Sequence, residues 1–514
     1  MAFEYGLPAT LAPALVGLML SVVIEAAMRP KPPMRRPLAA WVIHGGLWLI
    51  VYGALVLLIW RPWFAMLATS AILLMLVLVN NAKFTALREP FVFQDYEYFT
   101  DAIRHPRLYI PFLGWAKFLA SAAGFLLAVW VGLRMETVPA SAGLAAQLIA
   151  AAAVLTGALL MVAAASRKRP ALSFQPERDL VALGFLASLW HYGLQARRPP
   201  TAVSPFSALV PRTDGGELPH LVAVQSESFF DPRPLFQGIR TDVLGEFDRL
   251  KRAAVAHGAL TVPAWGANTV RTEFAFLTGL DEAQLGPHRF NPYRAIAAGW
   301  PVASLARFLK GMGYRTVCVH PYPASFYLRH RVFPALGFDE FLDIQAFAGA
   351  ERCGPYVGDA AVAAKIADLL DKADGPLFVL AVTMENHGPL HLEQVGPNDV
   401  ADLYAEPPPP GCDDLTIYLR HLRNADSMIG TLARRLRACA RPASLCWFGD
   451  HVPIMPSVYA KMGEPAGMTN YLIWSNKERA RPEEGPLTAE RLALRWSEEA
   501  DLPVTNLQLG DRSV

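Results

Sequence analysis

The sequence predicts two parts, a multi-span helical membrane domain followed by a doubly wound α/β domain with a mostly parallel central sheet. Three observations carry this prediction. Long stretches of the first third are almost free of charge, short apolar runs alternate with helical patterns beyond residue 218, and polar residues directly follow several of those runs. Hydrophobic residues make up 53% of the 514 residues and the mean hydropathy is +0.25, which is too apolar for an ordinary soluble protein.

Five stretches in the first third are predicted membrane spans, because most approach the roughly 20 residues that a crossing helix needs. They are residues 6–28, 38–60, 64–80, a segment around 118–133, and 144–165. A sixth apolar segment, residues 180–194, is short. It is either a sixth span or an amphipathic helix in the membrane interface, with Trp190 and Tyr192 at headgroup level.

Basic residues in the short loops leave the topology open. Lysine and arginine gather in loops one, three and five, which the positive-inside rule places in the cytoplasm. They are Arg29, Lys31, Arg35 and Arg36; Lys83, Arg88, Arg104 and Arg107; and Arg167, Lys168, Arg169 and Arg178. The rule places the amino terminus outside, so the part of the chain after the spans is exported only if a sixth span is present. With five spans, export of that part requires a cytoplasmic amino terminus, against the rule. We therefore divide the chain into membrane domain 1–179, interfacial or sixth-span helix and linker 180–217, and a domain over 218–514.

Charge and cysteine content exclude two classes of function. A net charge of +2 is too small to indicate a nucleic-acid partner, and none is expected. The five cysteines show no CxxC spacing and do not indicate a zinc site. Cys318 and Cys446 lie in apolar runs and are predicted core residues. Cys353 and Cys412 lie in loop-like sequence, and whether they form a disulfide is left open.

The second part reads as an α/β domain after a linker rich in Pro, Gly and Arg. Predicted strands are residues 221–225, 316–319, 377–383 and 444–448, and predicted helices are residues 301–312, 359–370 and 415–439. Strands that are apolar throughout and separated by helices indicate a parallel sheet covered on both faces.

Polar residues follow three of these strands and predict a site. They are Glu227, then Glu385, Asn386 and His387, then Asp450 and His451. Ligands of open α/β sheets bind beyond the carboxyl ends of the strands, so these segments should converge. Carboxylates with an imidazole are a plausible divalent-metal site; the oxygen-rich set suits manganese or magnesium, and the histidine also admits zinc.

Thr269 is the candidate nucleophile, since it follows a Gly-Ala-Asn turn at the start of a predicted helix. A hydroxyl coordinated to a divalent cation has a lowered pKa, and the free amides of a first helical turn attract a phosphate. We expect Thr269 to attack phosphorus, form a phospho-threonine ester and pass the group to an acceptor. The alternative is that Thr269 only caps the helix, and that the Asp450–His451 pair is only a turn.

Five stretches together resemble, in matching order, the motifs of the lipoteichoic acid synthase family. They are VQSESFFD (224–231), GANTVRTEFAFLTG (266–279), FYLRHRVFPALGFDEF (326–341), TMENHGP (383–389) and FGDHVP (448–453). That family includes bacterial phosphoglycerol transferases and belongs to the alkaline phosphatase and sulfatase superfamily. The resemblance implies an alkaline-phosphatase-like catalytic domain.

The resemblance also implies roles for individual residues. Glu227, Thr269, Asp450 and His451 match the ligands of one divalent ion, with manganese favoured and magnesium or zinc as alternatives. Arg329 matches an arginine that holds the phosphoglycerol head group, Tyr327 stands at an aromatic position, and His387 matches a histidine near the substrate. Arg271, close after Thr269, is expected to add positive charge to the pocket. The alternatives are a surface ion pair for Arg329 and a buried hydrogen-bonded histidine for His387.

The expected function is transfer of phosphoglycerol from phosphatidylglycerol, at the outer face of the cell (inner) membrane, to a glycan or other polymer. Sulfate ester hydrolysis is not expected, because the threonine segment NTVRT lacks the C/S-x-P-x-R pattern that formylglycine formation requires. Two alternatives stay open. One is a phosphoethanolamine transferase or lipid phosphodiesterase of the same superfamily, and the other is a non-catalytic membrane sensor or scaffold.

Overall fold

The computed structural model describes residues 7–98, 115–136, 141–211, 216–477 and 482–506. The chain divides into two compact units, Met1–Arg198 and Pro199–Val514. We call the first the membrane unit and the second the C-terminal unit. Each is described by itself below.

The membrane unit is helical throughout its longer elements. Its helices are α1 (Leu7–Glu25), α2 (Leu38–Ile59), α3 (Pro62–Leu87), α4 (Trp115–Met135), α5 (Ser141–Ala165), α6 (Pro176–Leu183) and α7 (Phe185–Ala196). Within the described residues, four helices are long and apolar enough to cross a membrane: α1, α2, α3 and the Gly143–Ala165 part of α5. Helix α4 coincides with the remaining predicted span, but its apolar part, Ala123–Arg134, is shorter. The count of five spans therefore stays a prediction.

The segment predicted as a single helix over residues 180–194 is two short helices. Helices α6 and α7 have 8 and 12 residues and are separated at Gly184, whose φ of 77° is favourable for glycine. Since a span needs about 20 residues, neither helix alone is long enough to cross, and the choice between a sixth span and an interfacial helix stays a prediction. Tyr192 in α7 is buried, and its hydroxyl donates to Asp179 at 2.7 Å.

Buried polar groups join the ends of several helices in the membrane unit. Glu25 at the end of α1 pairs with Arg36 ahead of α2, and its Oε1 accepts the backbone N–H of Phe185 at 2.7 Å. The side-chain amide of Asn80 in α3 donates to the carbonyl oxygen of Arg29 at 2.9 Å. The end of α1, the start of α2, the end of α3 and the start of α7 therefore meet at one end of this unit.

The C-terminal unit is built on a nine-stranded sheet. The strands of the whole unit are β1 (Leu209–Pro211), β2 (His220–Ser226), β3 (Ala256–Thr261), β4 (Arg315–Val319), β5 (Glu340–Leu342), β6 (Arg352–Cys353), β7 (Tyr356–Val357), β8 (Leu377–Val382), β9 (Ala443–Gly449), β10 (Thr469–Ser475), β11 (Glu483–Glu484), β12 (Leu487–Thr488) and β13 (Val504–Asn506). The strand order is β11-β3-β10-β9-β2-β8-β4-β5, with β12 also paired to β3. Strands β1 and β13 form a separate pair, as do β6 and β7.

The four predicted strands are the parallel centre of this sheet, β9-β2-β8-β4. Two longer strands were not predicted, β3 and β10, and β10 runs antiparallel to both β9 and β3. The sheet is therefore mixed, with a parallel centre and an antiparallel neighbour. The centre places the carboxyl ends of β2, β8 and β9 side by side.

Helices cover both faces of the sheet. They are α8 (Gly245–Lys251), α9 (Thr269–Thr278), α10 (Pro292–Ala297), α11 (Leu305–Gly311), α12 (Arg329–Leu336), α13 (Asp359–Asp371), α14 (Asp399–Leu403), α15 (Asp413–Arg437), α16 (Pro456–Met462) and α17 (Ala489–Glu499). Alternate residues of β2 enter two cores: Val222 and Val224 pack with α13 and α15, whereas Leu221 and Ala223 pack with α9 and α17. This alternation is what a sheet buried on both faces requires.

The predicted helices are present with adjusted ends. The prediction over 359–370 corresponds to α13 and that over 415–439 to α15. The prediction over 301–312 corresponds to the shorter α11, because Ser304 caps it by accepting the backbone N–H of Arg307 at 3.1 Å. All five cysteines are free, so Cys353 and Cys412 do not pair. Cys412 is buried, with its sulfur 3.9 Å from that of Met462.

Candidate active site

The ends of β2 and β9 hold an acidic pair against each other. Glu227 follows β2, and Asp450 follows β9. The backbone N–H of Ser228 donates to Asp450 Oδ1 at 2.8 Å, which ties the two strand ends together. A side chain at Gly449 would place its Cβ 1.9 Å from the carbonyl oxygen of Phe229, so only glycine allows this close approach.

Glu227, Asp450 and His451 form a buried three-ligand cluster. One ligand atom from each lies within 4.8 Å of the others. His451 Nε2 is 3.5 Å from Glu227 Oε1 and 3.3 Å from Asp450 Oδ2. His451 Nδ1 lies 3.1 Å from the carbonyl oxygen of Val452, so a proton on Nδ1 donates there and leaves the Nε2 lone pair for a metal ion.

The charges of this cluster fit a divalent cation. Asp450 Oδ2 and His451 Nε2 are buried and have no hydrogen-bond partner, which is rare for buried polar atoms. Burial and the neighbouring Asp450 carboxylate raise the pKa of Glu227 to about 8. A cation among these atoms would supply partners for the two orphaned atoms and offset the repulsion between the carboxylates.

Thr269 is the first residue of α9 and is not its cap. The cap position is Asn268, in the left-handed region with φ 65° and ψ 40°. The capping alternative for Thr269 is therefore wrong. One turn on, the hydroxyl of Thr272 donates to the carbonyl oxygen of Asp450 at 2.7 Å, which fixes the start of α9 against the acidic pair. Thr269 and Glu227 line the same cavity.

Arg329 also lines this cavity and is buried. Its Nη2 donates to Glu273 Oε2 at 2.8 Å and its Nε donates to Glu273 Oε1 at 3.2 Å. Its Nη1 lies 3.1 Å from His320 Nε2. These contacts use three of the five N–H donors of a guanidinium and leave two. The ion pair is internal, so the surface-pair alternative for Arg329 is wrong.

Sequence reasoning missed two residues around Arg329, His320 and Glu273. His320 lines the cavity, and its Nδ1 lies 2.9 Å from the carbonyl oxygen of Val382. Burial and the adjacent guanidinium hold the pKa of His320 well below its usual range, so the ring is neutral and its Nε2 accepts from Arg329. Glu273 is buried and also accepts from the hydroxyl of Tyr293.

Both missed residues carried a sequence signal. His320 directly follows β4, as the predicted ligands follow their strands. Glu273 lies four residues after Thr269, one helical turn along the same face. His320 follows a predicted strand in the same way as Glu227 and Asp450, and this position is the signal that indicates it.

The remaining predicted residues divide into two groups. Tyr327 and His387 line the cavity; the Tyr327 ring centroid is 5.3 Å from the Arg329 guanidinium, and His387 Nδ1 lies 2.7 Å from the carbonyl oxygen of Gly388. Burial lowers the pKa of His387. Arg271 instead lies against Phe290, with its guanidinium 5.3 Å from the ring centroid, and is not among the residues that line the cavity within the described parts of the chain.

Comparison with known proteins supports the architecture. Residues 219–502 match the family model described as Sulfatase, which is more than half of the chain. The capsular polysaccharide biosynthesis protein RkpI of Rhizobium meliloti (strain 1021) is 27% identical over 449 residues, which cover 82% of this chain and 79% of that protein.

Two solved structures are similar. The integral membrane protein lipooligosaccharide phosphoethanolamine transferase A (EptA) of Neisseria meningitidis has a TM-score of 0.53 at 13% identity, covering 93% of this chain and 97% of that one. The phosphoglycerol transferase GacH of Streptococcus pyogenes, in complex with sn-glycerol-1-phosphate, has a TM-score of 0.49 at 21% identity, covering 60% of this chain and 84% of that one. The first likeness confirms the predicted fold, membrane helices followed by a sulfatase-like domain.

Proposed function

This chain belongs to the sulfatase family, within the alkaline phosphatase and sulfatase superfamily, and from this premise we propose that it is a phosphoglycerol transferase. In this proposal it moves phosphoglycerol from the lipid phosphatidylglycerol to a glycan or polysaccharide acceptor. The observation that carries the proposal is the cavity lined jointly by Thr269, Glu227 and Arg329, with the orphaned ligand atoms of Asp450 and His451 beside Glu227.

Thr269 is the proposed nucleophile. Glu227, Asp450 and His451, with Thr269, would hold one divalent ion, with manganese favoured over magnesium or zinc. Bound there, the ion would lower the pKa of the threonine hydroxyl and offset charge on the phosphate. The hydroxyl oxygen then forms a bond to phosphorus while the bond from phosphorus to the diacylglycerol oxygen breaks. The threonine proton passes through solvent to the diacylglycerol oxygen, and a phosphoglycerol ester is left on Thr269.

Two features of the chain would hold the phosphate during this step. The start of α9 presents backbone N–H groups that have no partner within the helix, and these attract an anion. Arg329 has two N–H donors beyond those engaged by Glu273 and His320. Because Glu273 and His320 fix the guanidinium, little conformational entropy is lost when it binds a phosphate.

His387 is the proposed proton acceptor in the second step. Its Nδ1–H donates to the carbonyl of Gly388, so the neutral ring has its lone pair on Nε2. An acceptor hydroxyl gives its proton to Nε2 as its oxygen bonds to phosphorus and the Thr269 oxygen leaves. The protonated ring then returns this proton to solvent or to the threonine oxygen.

The membrane unit supports a lipid donor. The protein is a multi-pass membrane protein, and a phosphatidylglycerol head group stays at the bilayer surface, so tethering the site to the membrane raises the effective donor concentration. We assign the catalytic domain to the periplasmic or outer face of the inner membrane. The glycan acceptor is supported by the relative RkpI, which is named for capsular polysaccharide biosynthesis.

The test is to trap the intermediate. The purified full chain is incubated with phosphatidylglycerol labelled in its head group, with manganese and without acceptor, and the peptide containing Thr269 is examined by mass spectrometry. The expected result is one phosphoglycerol on Thr269, absent in Thr269→Ala. A phosphoethanolamine adduct from a mixed-lipid incubation would replace the proposed donor, and label in free glycerol phosphate without any adduct would indicate a phosphodiesterase.

A further inference from the structure

The loop that carries His387 is attached to one imidazole ring at both of its ends. We define the 385–393 loop as the residues from Glu385, which follows β8, to Glu393. His421, a buried residue of α15, lies between these two glutamates. Its Nδ1 is 3.0 Å from Glu385 Oε1, and its Nε2 is 3.0 Å from Glu393 Oε1.

This geometry favours a charged ring. Ionised carboxylates only accept hydrogen bonds, so both nitrogens of His421 must donate, and only imidazolium has two N–H groups. The two glutamates also raise the pKa of His421 to about 9, against the opposing effect of burial. Hydrogen bonds between charged partners are the stronger class in proteins.

Asn424 and Arg420, which like His421 belong to α15, add a separate contact at each end of the loop. Glu385 also accepts the backbone N–H of Asp359 at 2.6 Å and the side-chain amide of Asn424 at 2.5 Å. Glu393 also pairs with Arg420 at 2.8 Å, on the same helix as His421. Of these partners, only His421 contacts both ends of the loop.

Between its two attached ends, the loop reaches the cavity. His387 lines the cavity, and its Nδ1 contacts the carbonyl of Gly388, which is another residue of the loop. Two residues before the loop, the hydroxyl of Thr383 accepts the backbone N–H of Glu227 at 3.0 Å. A change at the loop ends would therefore be transmitted to the position of His387.

We propose that His421 is a positioning residue whose ring clamps both ends of the 385–393 loop to α15 and thereby holds His387 at the cavity. The role of His387 in transfer rests on the proposed function, whereas the clamp itself does not. An unclamped surface loop samples many conformations, and its local opening costs little free energy. The clamp keeps the basic nitrogen of His387 in place before an acceptor arrives, which lowers the entropic cost of the step.

The first test measures the clamp without any assay of activity. Hydrogen–deuterium exchange of the full chain in detergent is followed for peptides within the 385–393 loop. We expect His421→Gln, which can donate to only one glutamate, to raise exchange in the loop by about tenfold. Glu393→Ala removes the contacts of His421 and Arg420 at one end and leaves the Glu385 contact. It should raise loop exchange more than Arg420→Gln, which removes the arginine contact alone, and this pair serves if His421→Gln does not fold.

Asp426→Asn is the matched control. Asp426 lies on the same helix and accepts the backbone N–H groups of Glu246 and Phe247, outside the loop. Its substitution should leave exchange in the loop at the wild-type rate. Equal loop exchange in wild type, His421→Gln and Glu393→Ala would overturn the clamp.

The second test asks whether His421 acts through His387. In the transfer assay, His421→Gln should lower kcat with little change in KM for the lipid. Added to His387→Ala, the same substitution should cause no further loss. Independent losses that multiply in the double variant would overturn the positioning role. If the wild-type chain shows no transfer, the proposed function fails and the exchange experiment still decides the clamp.

Discussion

The two units each bury a glutamate beside a histidine, but the glutamates are satisfied in different ways. In the membrane unit, both oxygens of Glu25 have partners, since Oε1 accepts from Phe185 and Arg36 pairs with the carboxylate. In the C-terminal unit, Glu227 faces Asp450, and the nearby Arg329 is already paired with Glu273. A buried carboxylate with its own arginine holds structure together, whereas an acidic pair that shares one histidine and one serine hydroxyl fits a bound cation.

The largest expected effect is the loss of transfer activity in Thr269→Ala without a matching loss of stability. Thr269→Ala should reduce transfer to the detection limit, because no other hydroxyl in this position can form the ester. Its melting temperature should stay close to that of wild type, since Thr269 is buried at the cavity wall and loses only a hydroxyl and a methyl group, a change expected to cost about 1 kcal/mol. The measurement is transfer and thermal unfolding on the same preparation.

Thr269→Ser provides the control for this experiment. Serine keeps the hydroxyl and should retain measurable transfer and the covalent adduct. Full transfer by Thr269→Ala would instead remove the nucleophile from the proposed mechanism.

A matched pair of substitutions tests the comparison of the two glutamates directly. Glu25→Gln leaves the buried Arg36 without its counter-charge and should destabilise the membrane unit by about 3–5 kcal/mol. Glu227→Gln removes a carboxyl group whose ionisation is opposed by burial and by Asp450. It should leave the metal-free C-terminal unit as stable as before, or more stable by about 1 kcal/mol at pH 7. Thermal unfolding in the presence of a chelator measures both.

The test compares the directions in which the two substitutions change the stability of the chelated protein. If Glu227→Gln destabilises the chelated protein as strongly as Glu25→Gln, the acidic pair is a structural element, and the contrast between the units is lost.

The sequence predicted the centre of the sheet and part of the cavity, Glu227 and His387, for one physical reason. Strands β2, β4, β8 and β9 are mostly apolar because nearly all of their residues are buried, and cavity-lining residues or candidate metal ligands follow their carboxyl ends. Strand β10 was missed although it is nearly as apolar, since no helical pattern separates it clearly from β9. The short strands β11 and β12 contain two residues each, too few for any periodicity.

The contacts that the sequence could not supply are those set by tertiary packing. Nothing in the local sequence of Arg271 or Arg329 distinguishes an arginine stacked on Phe290 from one fixed by Glu273. Likewise, His421 lies in an ordinary helical pattern, and only the fold brings both Glu385 and Glu393 to its ring. Assignment of site residues therefore stays a prediction until they are substituted.

The next effect in size is the gain in stability on metal binding, which should depend on the C-terminal unit and not on the membrane unit. At a manganese concentration of about 100 times Kd, a ligand that binds only the folded state adds about 2.7 kcal/mol to its stability. We expect manganese to raise the melting temperature of wild type and to have no such effect on Asp450→Asn, which loses a charged ligand atom. Glu25→Gln, which lies in the other unit, should retain the full metal-dependent increase.

The smallest expected effect is a pH dependence that comes from His421. Its pKa rises from 6.5 to about 9 on folding because Glu385 and Glu393 favour the protonated ring. A group whose pKa is raised on folding binds its proton more tightly in the folded state, so its contribution is complete below pH 6.5 and is lost as the pH rises through about 9. Wild type should therefore exceed His421→Gln in stability by on the order of 2 kcal/mol at pH 6, and the difference should shrink towards pH 10.

Denaturant unfolding at pH 6, 8 and 10 measures this difference. Asp426→Asn is the control, because its loss of unfolding free energy should not shrink in the same way between pH 6 and pH 10. A deficit of His421→Gln that stays constant from pH 6 to 10 would show that the ring is neutral in the folded protein, and the two glutamates would then need another source of positive charge.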